Sequence, residues 1–312
     1  MAPLLKISKG GSRILNHSKK DEESGGFVKT AFFEDIIART IQYIQAGYPV
    51  HFVGPSGVGK TSLALYIAQQ FNRPVTIIRG HHELSNKDLL GQYNGINKKE
   101  IIDNYIHSVY KSEQQIRSLW VNGQLTEAVK NGHVVIYDEF SRSRPEANNI
   151  FLSLLEEKVL PIYGKGKETF IKCHPDFSMI FTSNPDEYAG TFHTQDALMD
   201  RLITISLDCC DTKTEIEILH QKAGITKQEA QEIVRLISNL RLFGKGFCPS
   251  LRASLMIAAV AKKGNIQITY DNEQYQALCL DVLTRPVKQI SPELSRSAVQ
   301  KLILKEMQRK EE

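Results

Sequence analysis

The chain has 312 residues, 41% of them hydrophobic and 24% charged, and 39 Lys and Arg against 35 Asp and Glu give a formal net charge of +4. This length suits two packed units, and this balance excludes a disordered or fibrous protein. The basic residues are spread along the chain rather than gathered in a stripe, which argues against a nucleic-acid partner, and the longest apolar stretch, at 255–261, is far short of the roughly 20 residues of a membrane span.

Residues 1–29 are rich in Lys, Ser and Gly, lack periodicity and read as a flexible basic tail. They hold no uninterrupted apolar segment of the secretory kind, so a cytoplasmic protein is expected. The five cysteines (Cys173, Cys209, Cys210, Cys248, Cys279) form no CxxC pair and the nine histidines no HExxH, so neither a zinc centre nor a disulfide framework is expected. From Phe32 the spacing of Phe33, Ile36, Ile37, Ile41 and Ile44 predicts a helix that stops at Gly47. An apolar strand at 49–53 runs into a glycine-rich loop. Leu63, Ile67 and Phe71 then mark a helix, and 75–78 the next strand. Strand, loop, helix and strand in about 30 residues predict a βαβ unit and a parallel sheet.

Two more buried strands follow, 133–137 ending at Asp138 and Glu139, and 178–183 ending at Asn184-Pro185. Between them Ser143 and Glu146 have capping-box spacing before Ile150, Phe151, Leu154 and Leu155, which would face the sheet. Two strand-like pieces around Gly164-Lys165-Gly166 read as an inserted hairpin, whose Lys165 and Lys167 would be a partner-contacting element. Beyond 207 helix starts succeed one another. Thr212/Glu215, Thr226/Glu229 and Asp271/Gln274 have capping-box spacing, and Ser291-Pro292 is a further start. A helix at 250–263 would close on Gly264. The expected fold is α/β: a parallel sheet flanked by helices at 30–207, then an all-helical lid domain at 208–312, with no internal repeat.

The loop Gly54-Pro55-Ser56-Gly57-Val58-Gly59-Lys60-Thr61 fits the phosphate-binding pattern GxxxxGK[ST] in full. Its glycines let backbone N–H groups turn toward phosphates, and the helix that follows points its positive end at them. Lys60 would reach the β- and γ-phosphates of ATP, and the Thr61 hydroxyl would coordinate Mg²⁺. Asp138, at a strand end, would hold the same ion, and Glu139 would orient and deprotonate the attacking water. Asn184 would touch the γ-phosphate or that water. Among the arginines, Arg201 is the first candidate to neutralise charge developing in phosphoryl transfer, with Arg142 and Arg144 as alternatives. Arg252, at the start of a later helix, would report the γ-phosphate. Taken singly, a strand-end acid pair or Asn can be a solvated turn and an arginine a surface ion pair. The order of the motifs is what favours the functional reading.

This order resembles the AAA+ superfamily, and Asp138-Glu139-Phe140-Ser141-Arg142-Ser143-Arg144-Pro145, Leu154-Leu155-Glu156-Glu157-Lys158 and Thr182-Ser183-Asn184-Pro185 resemble its MoxR-type, helix-2-insert branch. The resemblance implies an α/β domain with a helical lid, assembled as a hexameric ring. It maps the Walker A motif onto 54–61, Walker B onto Asp138 and Glu139, sensor 1 onto Asn184, the arginine finger onto Arg201 and sensor 2 onto Arg252. More specifically, Gln45-Ala46-Gly47-Tyr48-Pro49-Val50-His51-Phe52, Asn104-Tyr105-Ile106-His107-Ser108-Val109 and the segment from Tyr137 to Asn149 are similar to the gas vesicle protein N family, over about residues 30–300. The chain departs from that family at Gly80-His81-His82-Glu83, where an acidic Gly-Asp-Asp-Glu is usual. What the resemblance implies is an ATP-driven factor, in the cytoplasm or at gas vesicles, acting on shell or accessory proteins. A nucleotide-dependent binding switch, a MoxR-type chaperone that activates or metallates another enzyme, and a nucleic-acid motor are the alternatives.

Overall fold

A computed structural model of the chain describes residues 14–15, 26–102, 112–162, 170–184, 196–242, 249–290 and 293–308. Strand β1 (Ile14–Leu15) precedes α1 (Ala31–Gln45), β2 (Val50–Val53), α2 (Lys60–Gln69), β3 (Val75–Arg79) and α3 (Asn86–Leu90). Two long strands, β4 (Gly91–Ile102) and β5 (Ser112–Asn122), lead into α4 (Gln124–Asn131) and β6 (Val134–Asp138). Next come α5 (Pro145–Asn148), α6 (Ile150–Glu156), β7 (Val159–Pro161), β8 (Phe170–Lys172), β9 (Ser178–Ser183), α7 (Asp196–Met199) and β10 (Ile203–Ser206). The described residues beyond β10 form helices only: α8 (Thr212–Ala223), α9 (Lys227–Arg241), α10 (Leu251–Gly264), α11 (Glu273–Ile290) and α12 (Arg296–Gln308).

The central sheet has the order β1-β3-β6-β9-β2-β10. Its strands run parallel, apart from β1, which pairs antiparallel with β3 at the edge. The β2–α2–β3 unit is parallel as expected, but β6 and β9 lie between its two strands. Successive side chains point to opposite faces of the sheet, as the pleat requires. Val134, Ile136, Val50 and Phe52 pack with Leu63 and Ile67 of α2 on one face. Val135 and Tyr137 pack with Leu125, Phe151 and Phe181 on the other. Covering both faces is what turns these strands into continuous apolar runs. A separate core joins the late helices through Leu219, Ile233, Ile257, Leu283 and Ile303. Among the described residues no helix is long and apolar enough to cross a membrane.

Several helix boundaries differ from the spacing-based reading. No capping box forms at Ser143: Arg144 is the N-cap, Pro145 takes the first helical position, and the helix is broken between Asn148 and Ile150. At α8 Asp211 displaces Thr212 as the cap, its carboxylate accepting from the Thr214 N–H at 2.7 Å, while Glu215 turns inward. At α11 the cap is Asn272 rather than Asp271, accepting from Gln274 and Tyr275. Helix α10 runs through Gly264 and ends on Asn265, whose φ of +50° is the left-handed conformation of a C-cap. Phe71 lies past the end of α2. The Thr226/Glu229 box does form. Ser291-Pro292 falls outside the described residues, and Ser295 accepts from Ala298 at the start of α12.

Strands β7 and β8 pair as the expected hairpin. Its tip, with Gly164, Lys165, Gly166 and Lys167, lies outside the described residues, as does the segment 104–109. The longer antiparallel pair β4–β5 has no counterpart in the sequence reading. A two-stranded ribbon need have no buried face, and 91–122 carry no two-residue alternation to read. Its base is pinched by Gly91 and Gly123. A Cβ on Gly91 would stand 2.2 Å from the Val121 carbonyl oxygen, and one on Gly123 would stand 2.4 Å from that of Leu89.

Candidate functional site

In a parallel sheet the carboxyl ends of the strands share one edge, and ligands lodge there. Here the loop after β2, the acids at the end of β6 and the residues at the end of β9 meet on that edge. The loop passes through Gly57 and Gly59 with φ of +84° and +96°, left-handed values that side chains resist. A Cβ on Gly57 would also stand 2.6 Å from Ser250 Oγ, just before α10. Gly59 caps α2, so the first N–H groups of that helix face the loop's interior. Lys60 is buried, and its Nζ donates to the carbonyls of Gly54 at 2.6 Å and Pro55 at 2.7 Å, which folds the ammonium back over the loop.

The next residue, Thr61, donates its hydroxyl to Asp138 Oδ1 at 2.6 Å. Thr182 on β9 donates to the same oxygen at 2.6 Å and accepts from the Glu139 N–H at 3.0 Å. One carboxylate thereby ties the ends of β6 and β9 to the first turn of α2. Glu139 has a φ of +54°, uncommon for a residue with a side chain, and such outliers gather at functional sites. Its carboxylate pairs with Arg142 at 3.1 Å. Gly80 makes room for this turn. Its N–H donates to the Asp138 carbonyl at 2.7 Å, and a Cβ there would stand 2.1 Å from the Glu139 carbonyl oxygen. His51 lies beneath the site, bonded through Nε2 to Ser183 at 2.8 Å and through Nδ1 to Thr204 at 3.1 Å. Burial, and next the charge of Lys60, push its pKa down to about 4.

A cavity of about 220 Å³ brings most of the predicted residues together: Ser56 through Thr61, Asp138, Glu139, Asn184 and Arg252 all line it. Gly54 and Pro55 stand behind it as acceptors for Lys60. Arg201 does not line it: the guanidinium bonds the Ala197 carbonyl and the Glu156 carboxylate. Arg142 sits beside Glu139, and Arg144 lines a different hollow with His82. Three features were not read from the sequence. Thr182 carries one, and its signal is a hydroxyl directly after the apolar run 179–181. A second is Ser250 against Gly57. The third is the apolar end of the cavity, formed by Phe27, Val28, Ile218, Leu251 and Leu255, with Phe27 stacked on Tyr66 at 4.8 Å. Phe27 and Val28 are the first consecutive hydrophobic pair after Leu15, in a stretch otherwise polar.

Such an arrangement can hold a nucleoside triphosphate, with an apolar end for a base and glycine turns and an ammonium for phosphates. The Thr61 hydroxyl and the Asp138 carboxylate are hard oxygen donors of the kind Mg²⁺ takes, which makes the pair a fitting place for it.

Residues 49–202 match the AAA domain model of the dynein-related subfamily. The chain is 41% identical over 278 residues to the gas vesicle ATPase GvpN of Ancylobacter aquaticus, covering 88% of this chain and 78% of that one. It is 40% identical to the gas vesicle ATPase GvpN1 of Halobacterium salinarum, over 86% of this chain and 77% of the relative. A more distant relative is the protein NorQ of Paracoccus denitrificans, at 27% identity over 62% of this chain and 64% of its own.

Proposed function

The chain belongs to the GvpN family of gas vesicle ATPases, and on that premise we propose that it is an Mg²⁺-dependent ATPase that works as a ring to assemble or enlarge gas vesicles in the cytoplasm. The observation that carries the chemistry is the knot of Thr61, Thr182 and Glu139 around Asp138, beside the loop that holds Lys60.

In this reading the loop N–H groups and Lys60 bind the β- and γ-phosphates, and Thr61 and Asp138 hold Mg²⁺, which when bound neutralises phosphate charge. Glu139 orients a water and takes its proton as the water attacks the γ-phosphorus and the bond to the leaving ADP oxygen breaks. Asn184 holds the same water or a γ-oxygen. Arg252 reads the γ-phosphate from α10. Arg201, outside its own chain's cavity, is the finger offered to a neighbouring copy, so a site is completed only in the ring. The energy is spent on a vesicle shell or accessory protein.

Steady-state ATP hydrolysis across a protein concentration series is the deciding measurement, with Glu139→Gln as control. Turnover per subunit that rises with concentration and vanishes in the control supports the shared site. Turnover independent of concentration overturns it. A second reading rests on the Glu139–Arg142 ion pair. If that pair persisted with ATP bound, Glu139 would be withheld from water and the chain would be a switch with little turnover. In that case Arg142→Ala would raise hydrolysis.

A further inference from the structure

Glu215, at the first turn of α8, is a fully buried carboxylate among the late helices. Arg241, in the last turn of α9, meets it with two parallel bonds, from Nη1 at 2.7 Å and Nη2 at 3.0 Å. The same guanidinium donates to the Pro249 carbonyl, from Nε at 3.2 Å and Nη2 at 3.1 Å. Ser254, in the first turn of α10, donates to Glu215 Oε1 at 2.7 Å. Burial, and next the charge of Glu215, raise the pKa of neighbouring Cys210 to about 12, the mark of a poorly solvated site.

What these bonds grip is the start of α10. Pro249 lies immediately before the N-cap Ser250, and Ser254 lies one turn after it. Between them stand the cap Ser250 and Arg252 of α10, both of which face Gly57 of the phosphate loop. Ser250 fills the space a Cβ on Gly57 would need, and the Arg252 Cβ is 3.6 Å from the same point. Ser250 makes no side-chain bond to its own helix, so the cap does not hold this end in place. The connection at 243–248 lies outside the described residues, and Arg241 bridges its two flanks directly. A planar fork that bonds a carboxylate and a carbonyl at once fixes orientation as well as distance, which a lysine cannot do.

We infer that Arg241 and Glu215 are positioning residues that lock the first turn of α10 against Gly57 and so aim Arg252 into the nucleotide cavity. This deepens the functional reading and rests on Arg252 being a γ-phosphate contact. The lock predicts a defect in telling ATP from ADP rather than a uniform loss of nucleotide binding, because ADP offers Arg252 nothing to reach.

The test is the ratio of ADP to ATP dissociation constants, measured by calorimetric titration in a Glu139→Gln background that keeps ATP intact, well below the melting temperature of each variant. Arg252→Ala should lower the preference for ATP by about tenfold, the scale of one charge-assisted bond. Arg241→Lys should lower it roughly fivefold alone, and by less than about twofold once Arg252 is already Ala, since residues acting through one another are not additive. Ser254→Ala removes one bond at the edge of the network, and should lower the preference by about two- to threefold with the same dependence on Arg252. It carries the test if Arg241→Lys does not fold. An unchanged preference in Arg241→Lys, or the same loss with and without Arg252, overturns the lock while leaving the role of Arg252 intact. A preference that survives Arg252→Ala overturns the reading of Arg252 and the lock with it.

Discussion

The Thr61 hydroxyl and the Asp138 carboxylate, 77 residues apart in the chain, are joined by a 2.6 Å hydrogen bond at the mouth of the cavity. Thr182 reaches the same carboxylate oxygen from β9 and also holds the Glu139 backbone. Thr182→Val keeps the shape and removes both bonds. Turnover is expected to fall by roughly ten- to a hundredfold, because a hydrogen bond to a charged group contributes about 1.5–3 kcal/mol. ATP affinity, which rests on the loop and Lys60, should stay within about threefold of the parent. Single-turnover hydrolysis and a nucleotide titration check this, and an equal loss in both would place Thr182 in binding.

Arg201→Ala should cut turnover by about a thousandfold, the low end of what such a cation contributes, with ATP binding retained. The sharper check is a mixture. Arg201→Ala subunits keep Glu139, and Glu139→Gln subunits keep Arg201, so mixed rings contain complete sites where the two adjoin. Activity restored on mixing the two inactive variants supports a finger given in trans. A mixture as inactive as its parts would show that Arg201 serves its own chain, and its bond to Glu156 would then be the place to look.

Gly80→Ala should be costly although the residue lies outside the phosphate loop. The added methyl would sit 2.1 Å from the Glu139 carbonyl oxygen and 3.0 Å from the Phe140 Cα, backbone atoms that cannot swing aside as a side chain can. Overpacking of this kind costs about 1–3 kcal/mol and moves Glu139 out of its strained turn. A lowered melting temperature together with a loss of hydrolysis larger than the loss of ATP binding is the expected result.

His51 sets an acid limit on stability. With a folded pKa of about 4 against an ordinary 6.5, the unfolded chain takes up the proton first. The native state is therefore fully favoured above about pH 6.5 and loses ground as the pH falls toward 4, by about 2 kcal/mol at pH 5. Denaturant unfolding at pH 7 and pH 5 measures this against His51→Gln, which can still bridge Ser183 and Thr204. The parent should lose about 2 kcal/mol more than the variant over that interval.

The strand ends were the legible part of this molecule. Lys60, Thr61, Asp138, Glu139 and Asn184 could be assigned to one edge because continuous apolar runs imply parallel strands, and parallel strands end together. Thr182 and Ser250 were not legible. Their partners, Asp138 and Gly57, are 44 and 193 residues away, and no local spacing encodes such a meeting. The capping reading failed where tertiary forces outweighed the local pattern. Glu215 has capping-box spacing from Thr212, yet Arg241 and Ser254 draw it inward and Asp211 takes over the cap. Where nothing competed, as at Thr226 and Glu229, the pattern and the structure agree. The β4–β5 ribbon escaped notice because its register is set by pairing across the two strands.

The position of β2 between β9 and β10 has a consequence for how the protein is made. The strand that feeds the phosphate loop leaves the ribosome early, but its first neighbour, β9, begins about 125 residues later and β10 about 150. At roughly 5–20 residues per second this is about 6–30 s of translation. Throughout it, the apolar residues Val50 and Phe52 have no sheet to enter. The cavity is lined from α10 as well as from the ends of β6 and β9, so its full lining is present only after Arg252 and Leu255 have been synthesised.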